Sequence, residues 1–177
     1  MCIRDSEGSI TIGKIDATRI SSIKEIRSNG ITIGMDKMID ENQMYGAAFR
    51  IENDDNDIGT SGTKLDTDGY SLSLYGTFPF SEKTFIDSTI GVGILRTELT
   101  RIHDSGTLSG KRKGKQLFGS ILYGAEFDNN QLTLSPYGRL DVGFTKLSSY
   151  TDSGTVAAIS YNAVSYTHLT LPTICSV

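Results

Sequence analysis

The amino-acid sequence predicts an all-β fold, an antiparallel up-and-down β-barrel that crosses a membrane. Runs of alternating apolar and polar residues recur along the chain, as expected of strands with one apolar and one polar face. The connections between these runs alternate between tight polar turns and longer stretches rich in Gly, Asp and Ser. No apolar run reaches the roughly 20 residues of a membrane-spanning helix, whereas a spanning strand needs only about 9 to 11.

About eight strands of the barrel are predicted from this alternation. They lie near residues 8–16, 24–39, 42–55, 66–80, 84–101, 114–127, 131–146 and 155–162. Successive side chains of a strand point to opposite faces, so residue parity separates a lipid face from a lumen face. The apolar parity collects Ile31, Ile33 and Met35, then Tyr45, Phe49 and Ile51, then Tyr70, Leu72 and Leu74, then Ile90, Val92 and Ile94, then Leu140, Val142 and Phe144. Residues 116–127 are less regular, because Phe118 and Leu122 fall on the polar parity.

The connections predict which ends of the strands lie on which side of the membrane. Tight turns are expected at residues 40–42, 81–83 and 128–130, and long connections at 17–29, 53–68, 102–114 and 147–155. Short connections on one side and long ones on the other are typical of outer-membrane barrels. Segment 17–26 stays open between a loop and a short helix, because isoleucines recur there every third residue, at Ile20, Ile23 and Ile26.

Both ends of the chain differ from the rest in origin. Met1–Asp5 can be encoded by ATGTGTATAAGAGAC, whose reverse complement translates as Val-Ser-Tyr-Thr-His, the residues Val164–His168. Two native termini are not expected to back-translate to complementary strings. We therefore interpret residues 1–6 and 163–177 as translated sequencing adapter, and residues 7–162 as part of a barrel domain.

The remaining sequence offers no catalytic, cofactor or metal site. Cys2 and Cys175 fall in the adapter-like ends, which leaves no disulfide and no thiol nucleophile to predict. His103 has no second histidine or cysteine beside it, and the acidic stretch 53–57 lacks the spacing of a calcium loop, so we expect solvated loop residues. The net charge of -4 gives no basic footprint for nucleic acid.

The polar parity predicts the lining of the lumen. It carries charged and tyrosine side chains at Asp36, Arg50, Tyr75, Asp87, Glu126, Tyr137, Arg139 and Asp141. It also carries glycines at Gly34, Gly46, Gly91, Gly93, Gly124 and Gly143, which we expect to keep the bore open. Glycines at bulges or bends are the alternative. The mixed charges have two interpretations, contact with a segment that threads the pore or mutual neutralisation in a hydrated wall.

The apolar parity collects aromatic residues near strand ends. Those beside the predicted short turns are Tyr45, Phe78, Phe80 and Phe127, and those beside the long connections are Tyr70 and Phe144. Aromatic girdles at the two membrane interfaces have this distribution. We therefore predict that these six side chains lie at the lipid interfaces.

Three motifs in order resemble the translocator barrel of autotransporters, the type V secretion proteins. They are a Gly-x-Asp at Gly34–Asp36, the run YSLSLYG at Tyr70–Gly76, and the run LSPYGRL at Leu134–Leu140. The resemblance spans about 130 residues. It departs from the family at Leu122, where an acidic lumen residue is expected, with Glu126 beyond it.

The resemblance implies an outer-membrane location in a Gram-negative bacterium and a transport function without catalysis. The family barrel usually has twelve strands and exports an N-terminal passenger through its lumen, so about eight strands imply a partial barrel. The implied partners are the passenger, outer-membrane lipid and lipopolysaccharide, and the outer-membrane assembly machinery. A basic cluster in the third long connection, Lys111, Arg112, Lys113 and Lys115, is a candidate contact for lipopolysaccharide phosphates, with a solvated loop as the alternative.

Two other interpretations remain open at the level of sequence. The first is a small, complete outer-membrane barrel with a porin-like or adhesive role. The second is a soluble β-sandwich, such as a surface adhesin module. An enzyme domain is not predicted, because no nucleophile, base and orienting group can be assembled from these residues.

Overall fold

A computed structural model describes residues 2–15, 24–40, 42–59, 62–103, 106–129, 132–154, 159–171 and 173–176. The long strands are β1 (Cys2–Ile15), β2 (Lys24–Asp40), β3 (Gln43–Ile58), β4 (Thr63–Ser81), β5 (Thr84–His103), β6 (Gly106–Ala125) and β8 (Leu132–Leu147). The short ones are β7 (Phe127–Asn129), β9 (Tyr150–Thr151), β10 (Ser153–Gly154), β11 (Ser160–Tyr161), β12 (Val164–Thr170) and β13 (Thr173–Ser176). Within these ranges, no helix has the length and apolar character needed to cross a bilayer.

The long strands form one antiparallel meander in chain order. The path through the sheet is β1-β2-β3-β4-β5-β6-β8-β12, with β7 and β13 paired to β8 and β10 paired to β6. Neighbours in the sheet are thus neighbours along the chain, which confirms the predicted antiparallel up-and-down topology. The sheet does not close on itself among the described residues, since β1 and β12 lie at its two edges.

Three of the predicted long connections are wrong at least in part, because strands continue through them. Residues 24–29 of the connection predicted at 17–29 belong to β2 and pair with β1. The ladder between β3 and β4 runs on to the pair Ile58 and Thr63, and that between β5 and β6 runs to His103 and Gly106. A glycine with positive φ lies at each end of the connection between β3 and β4, Gly59 with φ 72° and Gly62 with φ 82°. Ladder hydrogen bonds join backbone groups, so a polar composition does not end a hairpin whose register is already set.

The last predicted strand, at residues 155–162, is not the strand that pairs with β8. Of residues 155–162, the first four lie outside the described ranges, and Ser160–Tyr161 pairs only with Tyr150–Thr151. The strand beside β8 is Val164–Thr170 instead. The connection after Leu147 therefore reaches to residue 163, and the prediction failed because a short alternating run can form a local two-residue ladder instead of joining the sheet.

The other connections agree better with the prediction. β2 ends at Asp40 and β3 begins at Gln43, and a tight turn joins β4 to β5 at residues 82–83. At the third, Phe127 pairs with Leu134 across a hairpin. In the ambiguous segment, Ile20 and Ile23 lie outside the described residues, whereas Ile26 is part of β2.

One face of the sheet is apolar and open. Side chains that would form the core of a soluble protein are largely exposed, including Ile33 at 61%, Leu74 at 59% and Ile90 at 59%. Among the described residues, only Leu108 is a buried large hydrophobic side chain. Burying apolar surface is the main favourable term in folding, so this face needs a cover, and lipid supplies one on the outside of a barrel.

A charge on the apolar face is expected to destabilise the protein in lipid. Leu74→Arg places a cation halfway between the aromatic side chains Tyr70 and Phe80, and we expect a loss of roughly 2 to 4 kcal/mol of unfolding free energy. Urea titration of the full-length protein in phospholipid vesicles measures it. Ser73→Arg, one residue away on the opposite face, is the matched control and should lose far less. Equal losses in the two variants would contradict this assignment of faces.

Candidate functional site

The polar face of the sheet is the candidate functional site, because cross-strand register joins its side chains into continuous rows. One row crosses six strands through Asp36, Gly46, Tyr75, Thr89, Ser120 and Asp141. A second crosses four strands through Thr77, Asp87, Leu122 and Arg139. We call this surface the inner face. Tyr137 also lies on it, opposite Gly124, whereas Glu126 follows the end of β6 and is exposed.

Tyr75 spans a whole strand on the inner face. Its hydroxyl donates a 3.2 Å hydrogen bond to Oδ2 of Asp36, two strands away. The strand between contributes Gly46, where a Cβ atom would overlap the tyrosine ring. The other oxygen of Asp36 is buried without a hydrogen-bond partner. A glycine at this position therefore lets the aromatic ring lie flat against the wall and reach the carboxylate.

Arg50 is held along the wall in a similar way. Its Nε donates to Oε2 of Glu52 at 2.9 Å, and its Nη1 donates to Oγ1 of Thr32 at 3.1 Å. The guanidinium lies over Gly30, where a Cβ would come within 2.6 Å of Nη2. Its charge is thus compensated on the wall and does not project into the lumen.

The remaining inner-face charges also have partners within the wall. Arg139 donates from Nε to Oδ1 of Asp141 at 2.9 Å, and its Nη2 lies 2.8 Å from the same oxygen. Asp87 accepts a 2.8 Å hydrogen bond from Oγ1 of Thr77. The first pairing favours mutual neutralisation of Arg139 and Asp141, and the second gives the Asp87 carboxylate a hydrogen-bond donor without neutralising its charge.

Glycines on the inner face accommodate flat side chains rather than leaving empty space. Phe118 lies over Gly91, and Phe85 lies over Gly124, its cross-strand neighbour. The expectation that glycines simply keep the bore open is therefore incomplete. On the inner face, large neighbouring side chains lie flat against these glycines. This also explains how Phe118 fits the inner face despite its apolar side chain.

The predicted interface aromatics lie on the apolar face of the sheet, opposite the inner face, which we call the outer face. Some of them pair. Tyr45 and Phe78 meet edge to face with ring centroids 5.1 Å apart, near the short turns. Phe80 packs edge to face with Tyr123 at 6.0 Å. Sequence reasoning did not single out Tyr123, although it shares the outward parity of β6. Phe127 is exposed beside the same turns, and Tyr70 and Phe144 are exposed toward the other end.

A cluster that the sequence did not predict lies on the inner face, at the strand ends away from the turn at residues 82–83. The connection after β8 folds back so that the rings of Tyr150 and Tyr161 stack 4.8 Å apart. The guanidinium of Arg101 lies 5.5 Å from the Tyr161 ring and 3.6 Å from the carboxylate of Asp152, which is 1% exposed. Arg112 lies over the other ring, also at 5.5 Å.

This mouth cluster, formed by Arg101, Arg112, Tyr150, Asp152 and Tyr161, fixes the connection to the inner face. The hydrogen bond to Tyr161 and the nearby Asp152 carboxylate raise the pKa of Arg101, so its charge persists at any working pH. Burial and Asp152 raise the pKa of Tyr150. The two arginines come from different strands and the other three residues from the connection after β8. The sequence therefore shows which face of its strand each arginine occupies, but not that these residues meet.

Strand alternation divides the predicted basic cluster. Arg112 points to the inner face with the mouth cluster, whereas Lys111, Lys113 and Lys115 share the outer face of β6. The expectation of one loop cluster is therefore wrong, because these residues lie in a strand. Lys111 forms an ion pair with Glu98 on β5.

Beside Glu98, the outer face carries an acidic row on the hairpin extensions. Asp55 lies opposite Asp66, and Asp66 lies opposite Glu98. Burial and then the charge of Asp55 raise the pKa of Asp66. Among the described residues, no group of His, Cys, Asp or Glu has the arrangement of a metal site.

Filling the space over Gly46 is expected to destabilise the inner face. Gly46→Val would push Tyr75 away from the wall and break its hydrogen bond to Asp36, at a cost of about 1 to 3 kcal/mol. Urea titration of the full-length protein in vesicles measures the change. Gly143→Val, also on the inner face, is the matched control, because a Cβ there comes no closer than 4.0 Å to a neighbouring atom. Adding Tyr75→Ala should restore part of the loss, and failure of that rescue would refute the packing explanation.

Comparison with known proteins places this geometry in a family. The family model of the autotransporter beta-domain matches residues 10–173. The translocator domain of the autotransporter NalP from Neisseria meningitidis is similar in structure, with a TM-score of 0.79 and 15% identity over 95% of this chain and 57% of that one. BauA, the ferric preacinetobactin receptor of Acinetobacter baumannii, has a TM-score of 0.51 and 10% identity over 97% of this chain and 32% of that one.

These likenesses differ in what they establish. A search of curated protein sequences finds no significant match. At such low identities the structural matches show the fold alone, and the chain spans about 57% of the NalP translocator domain. The family match extends over most of the chain. This chain therefore belongs to the autotransporter β-domain family, whose β-barrels lie in the outer membrane of Gram-negative bacteria.

Proposed function

We propose that this chain forms part of an outer-membrane translocator that anchors an N-terminal passenger and exports it to the cell surface. The observation that carries the proposal is the division of one meander into an apolar outer face and a polar inner face, in a member of the autotransporter β-domain family. Such a sheet, once closed, encloses a hydrated path through lipid. The family consists of translocators, and we infer no catalytic role.

The inner face supports transport because it offers little to bind a passing peptide. The guanidinium of Arg50 is neutralised by Glu52, and that of Arg139 by Asp141. Tyr75 and Phe118 lie over glycines rather than across the lumen. An extended chain would therefore meet a polar wall whose arginines are already paired, so it could move without forming a strong interaction with either of them at each step.

The partners follow from the same proposal. The passenger's linker would occupy the lumen, and outer-membrane lipid, with lipopolysaccharide in the outer leaflet, would cover the apolar face. The outer-membrane assembly machinery would insert the barrel, since an open sheet edge in lipid leaves backbone groups unpaired. A small, complete barrel with a porin-like or adhesive role is the second candidate, favoured only if residues 7–162 close by themselves.

We also propose that residues 7–162 are the barrel's own sequence and that residues 1–6 and 163–177 are translated adapter. The complementary codons of the two ends support this division. The family match extends to residue 173 and so overlaps the second segment. Further strands, to about twelve in all, would then complete the ring.

A polypeptide of residues 7–162 alone is expected not to form a stable barrel. Two open edges leave backbone N–H and C=O groups without partners in lipid, each costing several kcal/mol. Refolding into detergent or vesicles, followed by electrophoresis with and without boiling, tests this. We expect no heat-dependent change in mobility and rapid proteolysis. A protease-resistant, heat-modifiable monomer would instead support the small complete barrel.

Passenger export should tolerate loss of a whole inner-face ion pair better than loss of half of it. The double variant Arg139→Ala and Asp141→Ala removes both charges, and we expect near-normal export from the full-length protein. Arg139→Ala alone leaves Asp141 uncompensated on the wall and should slow export several-fold. Surface accessibility of the passenger to protease, sampled over time, measures the rate. A double variant as slow as the single one would show that the pair contacts the passenger directly.

A further inference from the structure

Four cations of three neighbouring strands meet on the outer face. They lie just beyond the band of exposed apolar side chains on that face, which we call the apolar belt. Arg96 of β5 lies opposite Lys113 of β6, and Lys115 of β6 lies opposite Lys146 of β8. All four side chains are exposed. They line one cavity of about 410 Å³, which we call the basic pocket. The sequence separates these residues by up to 50 positions, and only the register brings them together.

Within the described part of the chain, none of the four cations of the basic pocket forms an ion pair. The ion pairs of the described residues join other side chains, outside the basic pocket. Glu98, the closest carboxylate along β5, is engaged by Lys111. Asp68 lies opposite Arg96, but its carboxylate accepts a 3.1 Å hydrogen bond from Asn53 instead. Four exposed cations at one site attract an anion with several acceptor oxygens.

An apolar groove begins where the basic pocket ends. It shares Ile94, Lys115 and Lys146 with the pocket. Its floor continues along the lipid face through Leu72, Val92, Leu117 and Phe144. Charge at one end and hydrocarbon-like surface along the rest match a molecule with an anionic head and acyl chains. A free inorganic anion would use only the first of these two features.

We propose that the basic pocket and the groove below it bind a phosphorylated lipid of the outer leaflet, lipopolysaccharide. Its phosphates would contact Arg96, Lys113, Lys115 and Lys146, and one acyl chain would lie along the groove. The site lies toward the strand ends opposite the tight turn at residues 82–83, the end that faces the cell exterior in barrels of this kind. The inference rests on the proposed outer-membrane translocator, but not on passenger export.

Binding of purified lipopolysaccharide to the full-length protein in detergent tests the proposal, with bound lipid counted by native mass spectrometry. Lys115→Gln combined with Lys146→Gln should weaken binding roughly thirtyfold, as expected for two cationic contacts at an anionic lipid surface. Lys37→Gln combined with Lys64→Gln is the matched control, because these exposed lysines lie on the same outer face but outside the pocket. The control should bind like the unmodified protein.

Two further arms separate the phosphate and the lipid contributions. Dephosphorylated lipopolysaccharide should bind the unmodified protein and the pocket variant equally weakly. Millimolar inorganic phosphate should not displace the lipid, and displacement would identify a free anion site instead. Replacement of both pocket lysines by arginine should preserve binding, and Lys113→Gln alone gives an independent test if the double variant does not fold.

Undiminished binding by a folded pocket variant, or an equal loss in the control, would overturn the proposal. Passenger export by the pocket variant should remain near normal, because the basic pocket does not face the lumen. Loss of export with intact lipid binding would count against the proposed translocator function and leave the lipid site standing. The two proposals therefore fail separately.

Discussion

The whole structure depends on the pairing of backbone hydrogen bonds between neighbouring strands. In lipid, an unpaired N–H or C=O group costs several kcal/mol, so a spanning sheet must satisfy every such group internally. The meander pairs each long strand between β1 and β12, which lie at the two edges of the sheet among the described residues. The same ladders extend past the apolar belt to Ile58 and His103. Those extensions build the mouth cluster, the acidic row and the basic pocket.

The inner and outer faces solve opposite problems with the same alternation. The outer face exposes its apolar side chains because lipid covers them. The inner face pairs its charges along the wall and folds large side chains such as Tyr75 and Phe118 onto glycines. This arrangement agrees with the conduit for an extended chain that we propose.

Strands within the apolar belt were predictable from the sequence, and their ends were not. Ile33, Leu74 and Ile90 alternate with small or polar residues because lipid and lumen make opposite demands on the two faces. Beyond the belt both faces meet water, the alternation loses its contrast, and hairpin extensions look like loops. The predicted strand at residues 155–162 failed for the same reason, since its short run pairs only with Tyr150–Thr151.

The fold class, the face of most side chains within the strands and the family resemblance are evident in the sequence alone, because these follow from residue order within single strands. Which residues of different strands become neighbours is evident only in the folded sheet. The reach of Tyr75 to Asp36, the burial of Asp152 beside Arg101, and the meeting of Lys115 with Lys146 all depend on register. Register is a property of pairs of strands, set by turn geometry and by the common apolar belt, so no single run of residues contains it.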